Sequence, residues 1–215
     1  MKRIITSVVV TAMVVAISLS AFATSAFNTK VFDDGQDITV TADSMTGTTI
    51  VTTTSLLGTK GVVSTGWKEN VVVYGAVSVS DDFDIYSIVM RYYADDWAFI
   101  NEAIVKIGDN RYYFTNLDTS RKVYSDATIR ETIQIIAKDS TVPFLQDLIE
   151  NRDKEVRVRL CGKNKDVEFV MTDDIKNSLI NLYNLFVAGG GTQAANMNLI
   201  ESVDDITVRA VKATS

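Results

Sequence analysis

Trp97-Ala-Phe-Ile-Asn-Glu-Ala-Ile-Val-Lys-Ile107, then Gly108-Asp109-Asn110, then Arg111-Tyr112-Tyr113-Phe114-Thr115, says most about how this chain folds. Two apolar and aromatic runs joined by a short Gly-Asp-Asn loop are the signal of a β-hairpin. Trp97, Phe99, Ala103, Val105 and Ile107 share one parity, with Asn101 as the exception, so a strand would turn these side chains to a core. Glu102 and Lys106 alternate with them. Ile85–Tyr93, just upstream, is a second apolar and aromatic run.

On the N-terminal side, Gln36 to Ser80 is rich in Thr and Val. Its short runs, Asp37–Ala42, Thr48–Thr54, Gly61–Thr65 and Val71–Ser80, read as strands, because β-branched side chains fit the pleated backbone and glycines punctuate them. Gly75 lies inside a run and is expected to mark a bulge or bend. Asp81-Asp82 offers a division into residues 27–80, a Thr/Val-rich β segment that either stands alone or is part of the same domain, and 81–215, an α+β domain.

Toward the C-terminus, Thr128–Ala137 is expected to be a strand although its isoleucines fit neither period cleanly. Val142, Leu145, Leu148 and Ile149 have helical spacing over Thr141–Asn151, with Pro143 in the tolerant first turn. Val156, Val158 and Leu160 alternate with Arg157, Arg159 and Cys161, and a polar loop leads into Val167–Met171. Thr172 is placed to cap a second helix whose first turn holds Asp173 and Asp174, with Ile175, Leu179, Leu182, Tyr183 and Phe186 as its stripe. Gly189-Gly190-Gly191 stops it, and Ile206–Val211 is a last strand. Asp37-Ile-Thr-Val40 recurs as Asp205-Ile-Thr-Val208, which suggests that the first and last strands meet in one sheet. The expected fold is α+β: a mostly antiparallel sheet, as a sandwich or half-open barrel, with two helices in the C-terminal half.

Residues 1–26 carry a different message. Lys2 and Arg3 precede an uncharged apolar run from Ile4 to Phe22, and Thr24-Ser25-Ala26 supplies the small residues a signal peptidase accepts. The expectation is a bacterial signal peptide cleaved after Ala26, with Ala23 as the other acceptable site. The mature chain would then be soluble, begin at Phe27 with a flexible lead of about ten residues, and be secreted, periplasmic or cell-wall-associated. Any membrane contact would come only through an uncleaved signal segment.

Losing Lys2 and Arg3 with no acid takes the formal net charge from −6 to −8. An acidic chain is a poor match for a phosphate backbone, so no nucleic-acid partner is expected. With no histidine, the Ser-His-Asp and Cys-His arrangements and His-ligated zinc are excluded within this chain, and a single cysteine, Cys161, excludes an intramolecular disulfide. No phosphate-binding glycine loop occurs. No cofactor and no metal ligands are expected.

Carboxylates remain as the chemical resource. Asp33-Asp34, Asp81-Asp82, Asp95-Asp96, Asp173-Asp174 and Asp204-Asp205 are adjacent pairs. Neighbours on a strand face opposite ways, and such pairs more often end or cap elements than share a site. The best candidate is Asp95-Asp96-Trp97 with Tyr93 and Tyr112 from the flanking strands, where aromatic faces beside acids suit a sugar or peptide. Two suitably spaced carboxylates, Asp96 and Glu102 for example, would allow glycoside hydrolysis. Arg152 to Lys165 holds six basic residues, interleaved and followed by acids that suit cross-strand ion pairs. The leading expectation is an exported, non-catalytic binding or structural module for a protein, an envelope polymer or a small ligand. The alternative is a carboxylate-based hydrolase of envelope or extracellular glycans.

Overall fold

β-branched runs and glycine punctuation give strands close to where the sequence places them. The computed structural model describes residues 27–33, 37–53, 61–81, 83–117, 119–137 and 141–191, and the backbone of 208–211. The expected signal segment and its cleavage at Ala26 lie outside the described residues. The strands are β1 (Ile38–Asp43), β2 (Thr48–Thr53), β3 (Val62–Ser64), β4 (Asn70–Val79), β5 (Asp84–Ala94), β6 (Ile100–Ile107), β7 (Asn110–Phe114), β8 (Thr119–Val123), β9 (Ile129–Ile136), β10 (Val156–Gly162), β11 (Val167–Met171) and β12 (Val208–Val211). The helices are α1 (Val142–Glu150) and α2 (Asp173–Ala188).

All pairings are antiparallel and form two open sheets. The first runs β1-β2-β4-β5-β9-β8, with β3 also on β4; the second runs β11-β10-β6-β7-β12. Strands on the two sides of Asp81-Asp82 are paired from Asn70↔Tyr93 to Val79↔Asp84, so the Thr/Val-rich segment shares a sheet with the strands C-terminal to it. The fold is thus a sandwich-like α+β arrangement with both helices after residue 140. No helix of the described residues is long and apolar enough to cross a membrane.

Alternation decides which face is buried. Val71, Val73 and Val77 of β4, Tyr86, Ile88 and Met90 of β5, and Ile133 and Ile135 of β9 turn inward from the first sheet. Ala103, Val105 and Ile107, Tyr112 and Phe114, and Val156, Val158 and Leu160 turn inward from the second. Phe144, Leu145 and Leu148 of α1 and Ile175, Leu179, Leu182 and Phe186 of α2 join the same core. Each of the Val, Leu, Ile, Phe and Met side chains among them contributes roughly 1.5–3 kcal/mol by leaving water. Thr172 caps α2 as expected, its hydroxyl accepting the Ile175 N–H at 3.3 Å.

Several expectations are corrected. Gly75 is neither bulge nor bend: it pairs regularly with Ile88, and a Cβ there would stand 3.0 Å from Leu182 Cδ2. Its job is to let α2 lie close on β4. β6 begins at Ile100, so Trp97 and Phe99 fall in a loop; Phe99 has φ +57° and is exposed, while Ala98 and Ile100 are buried instead. β1 and β12 lie in different sheets. β8, too polar to register as a strand, forms the edge beyond β9. Finally, the lead after Ala26 is docked at its start. The Phe27 ring sits 5.6 Å from Phe32 and 5.8 Å from Phe186, Phe32 is buried, and the Asn28 N–H donates to the Gly189 carbonyl at 2.7 Å.

Candidate functional site

The loop from Asp95 to Phe99 is built around a residue of another strand. Glu131, on β9, occupies an inward position and is fully buried. Its Oε1 accepts the N–H groups of Ala98 (2.7 Å) and Phe99 (2.9 Å), and its Oε2 accepts Ile100 N–H (2.9 Å) and Arg121 Nε (3.2 Å). Arg121 also donates to the Ile100 carbonyl. A buried carboxylate is tolerable only when its lone pairs are filled in this way. Three successive N–H groups converging on one carboxylate force the positive φ at Phe99 and break the expected strand.

The turn after β10 holds the loop from the other side. Lys163 N–H and Asn164 N–H donate to the carbonyls of Phe99 and Ala98, and Asn164 Nδ2 to that of Trp97. A Cβ on Gly162 would stand 2.3 Å from the Ala98 oxygen, so only glycine fits the approach. Lys165 of the same turn pairs with Glu69, and its Nζ lies 5.4 Å from the centre of the Tyr92 ring. That hydrogen bond, against the opposing effect of burial, holds the Glu69 carboxyl below the usual range, and burial pushes the Tyr92 hydroxyl up to about 12.

The five residues singled out in the sequence do not converge. Asp95 is exposed and paired with Lys68 at 2.9 Å. Asp96 is exposed and accepts the N–H of Trp97 at 2.8 Å. Trp97 is half-buried, its ring 6.1 Å from that of Phe99. Tyr93 is half-buried on the outer face of the first sheet, opposite Arg130. Tyr112 belongs to the core of the second sheet: it is 5% exposed, donates to Asp147 Oδ2 at 2.8 Å, and packs on Phe144. Glu102 faces outward from the second sheet opposite Cys161. Burial pushes the Cys161 thiol up, with Asp166 and Glu102 adding to the effect and Arg159 opposing it.

What sequence reasoning passed over is the outer face of the second sheet. Register places Arg157 opposite Lys106 and Lys106 opposite Arg111, three cations in a row across three strands. The next row sets Glu168, Arg159, Ile104 and Tyr113 side by side. Together they line a shallow groove of about 340 Å³. It adjoins a second depression lined by Lys106, Lys154, Glu155 and Arg157. The ion pairs expected in this region are present as Arg159–Glu168 (2.5 Å) and Arg157–Glu155. Lys106 and Arg111, however, form no salt bridge among the described residues, although Lys106 lies near enough to Glu155 to help Arg157 hold that carboxyl below its usual range.

Directly opposed like charges destabilise a sheet, so this row opposes folding unless something else neutralises it. Tyr113 and Ile104 give the groove an apolar floor beside the cations.

Comparison of the chain with models of known protein families, with curated proteins and with solved structures finds no match.

Proposed function

We propose that the protein is an exported bacterial, non-catalytic binding module, released by cleavage after Ala26, that holds an anionic polymer of the cell envelope or its surroundings on the outer face of its second sheet. The observation that carries this reading is the row Arg157↔Lys106↔Arg111, in which register aligns like charges, with no salt bridge to Lys106 or Arg111 among the described residues. Strand spacing makes such a row a ladder of positive sites about 5 Å apart, commensurate with an extended chain of repeating negative charge. The broad, shallow groove suits a polymer better than a cleaved small substrate. The acid within it, Glu168, and Glu155 of the adjoining depression are bound to arginines and are not free to act as acid and base.

The test is calorimetric titration of the mature protein with polygalacturonate, poly(glycerol phosphate) and dextran sulfate, with neutral dextran as control. Binding of at least one polyanion, weakened about tenfold or more by combined Lys106→Gln and Arg111→Gln changes and by raising salt, is the expected result. Failure of all three to bind at low salt, or indifference to the double substitution, overturns the reading.

A further inference from the structure

The outer face of the first sheet carries a separate cationic cluster that ion pairing does not explain. Arg91 and Tyr93 on β5 stand opposite Thr132 and Arg130 on β9, and β8 sets Lys122 opposite Arg130. Neither Arg91, Lys122 nor Arg130 has a carboxylate partner among the described residues. The nearest acid in sequence, Glu131, points the other way and is consumed by the Ala98–Ile100 N–H groups. Aromatic rings steady the cations instead: Arg91 Cζ is 5.0 Å from the centre of Tyr74, and Arg130 Cζ and Lys122 Nζ are 5.6 and 5.1 Å from that of Tyr124. A ring face attracts a cation but accepts no in-plane hydrogen bond, and the Tyr74 hydroxyl, which also interacts with Arg91, can meet only part of that guanidinium's donor set.

The result is a set of unmet donors. The Nε atoms of Arg91 and Arg130 and the hydroxyl oxygen of Thr132 are buried with no hydrogen-bond partner. Buried polar atoms are nearly always paired, so three such atoms on neighbouring positions suit one shared acceptor group. That group must accept from two guanidinium edges and a hydroxyl at once and carry negative charge. A tetrahedral oxyanion has this chemistry, and arginine forks match its oxygen pairs.

We infer that Arg91, Arg130 and Thr132 form a binding site for one phosphate or sulfate group, free or as the monoester end of a larger ligand. The site shares no residue with the polymer face and stands or falls independently of it.

The experiment uses the mature protein, its Arg91→Gln, Arg130→Gln and Thr132→Val variants, and the Lys106→Gln/Arg111→Gln double variant. Folding of each is checked by circular dichroism. Probes are inorganic phosphate, sulfate, glycerol 3-phosphate, and phosphatidylcholine vesicles with and without phosphatidic acid. Saturable binding of phosphate, sulfate or glycerol 3-phosphate, at least tenfold weaker in Arg91→Gln and Arg130→Gln and unchanged in the Lys106/Arg111 variant, supports a soluble ligand. The same pattern seen only with phosphatidic acid vesicles supports a lipid headgroup as the source. No saturable binding to any probe overturns the site, and so does equal weakening in the Lys106/Arg111 variant, which would mark diffuse charge.

Discussion

Glu131 accepts three consecutive backbone N–H groups and an arginine at a fully buried position. Its replacement by Gln keeps the shape but removes the charge and turns a donor toward donors. Loss of about 3 kcal/mol is expected for Glu131→Gln, read from urea denaturation, whereas Asp96→Asn, at an exposed position, leaves the midpoint nearly unchanged. The same residue explains why its surroundings resist reading from sequence. Ile129, Ile133 and Ile135 alternate toward the core, but a charge at the intervening inward position breaks the period, and Trp97 and Phe99 lose their strand to the loop it organises. The available signal is a lone acid at core parity inside an otherwise regular run. Lys106 opposite Arg111 is likewise legible in principle, since a hairpin turning at Gly108-Asp109 places them together, but Arg157 joins the row only through β10 pairing with β6, which no local pattern reveals.

Among the elements, the Thr- and Val-rich strands, the β6–β7 hairpin and both helices follow their sequence patterns closely, because each carries its own period and its own stop. Contacts between elements do not. Gly75 reads as a defect until α2 is seen lying on it, and β8, Thr-Ser-Arg-Lys-Val, is a strand only because β9 offers it an edge. The turn between β10 and β11 is tied to the approach to β4 by Lys165 and Glu69, and this tie has a pH signature. The Glu69 carboxyl is held below its ordinary value, so its contribution to stability is fully present above the unfolded value of about 4.3 and is lost as pH falls through the lower folded value. The stability difference between wild type and Glu69→Gln is therefore expected to be largest near neutrality and to shrink on acidification below pH ~4. Denaturant midpoints measured from about pH 7 to 3 check it; a difference that grows toward acid contradicts the assignment.

For the molecule entire, the inner faces of both sheets serve one core, which leaves the outer faces free to differ from the acidic average. A chain with sequence pI near 4.7 and net charge −6 nonetheless gathers, on both faces, cations that form no salt bridge among the described residues. Composition alone argues against anionic ligands, and it does so because a sum over the chain discards position.

The docked start of the described chain bears on how processing and folding are connected. The last turn of α2 contains no basic side chain, and its end at Gly189 is where Asn28 donates its N–H. The residue before Asn28 is Phe27, held by Phe32 and Phe186. Cleavage after Ala26 would convert the Phe27 nitrogen from a neutral amide into an ammonium beside the negative end of the helix dipole, worth about 0.3–1 kcal/mol at low salt. Protein beginning at Phe27 is thus expected to melt above protein retaining Ala23–Ala26, with the gap closing in about 1 M salt as the charge is screened. Equal melting at low salt would remove the connection. Such a cut would do more than free the chain, since it would itself supply the cation that the helix end lacks.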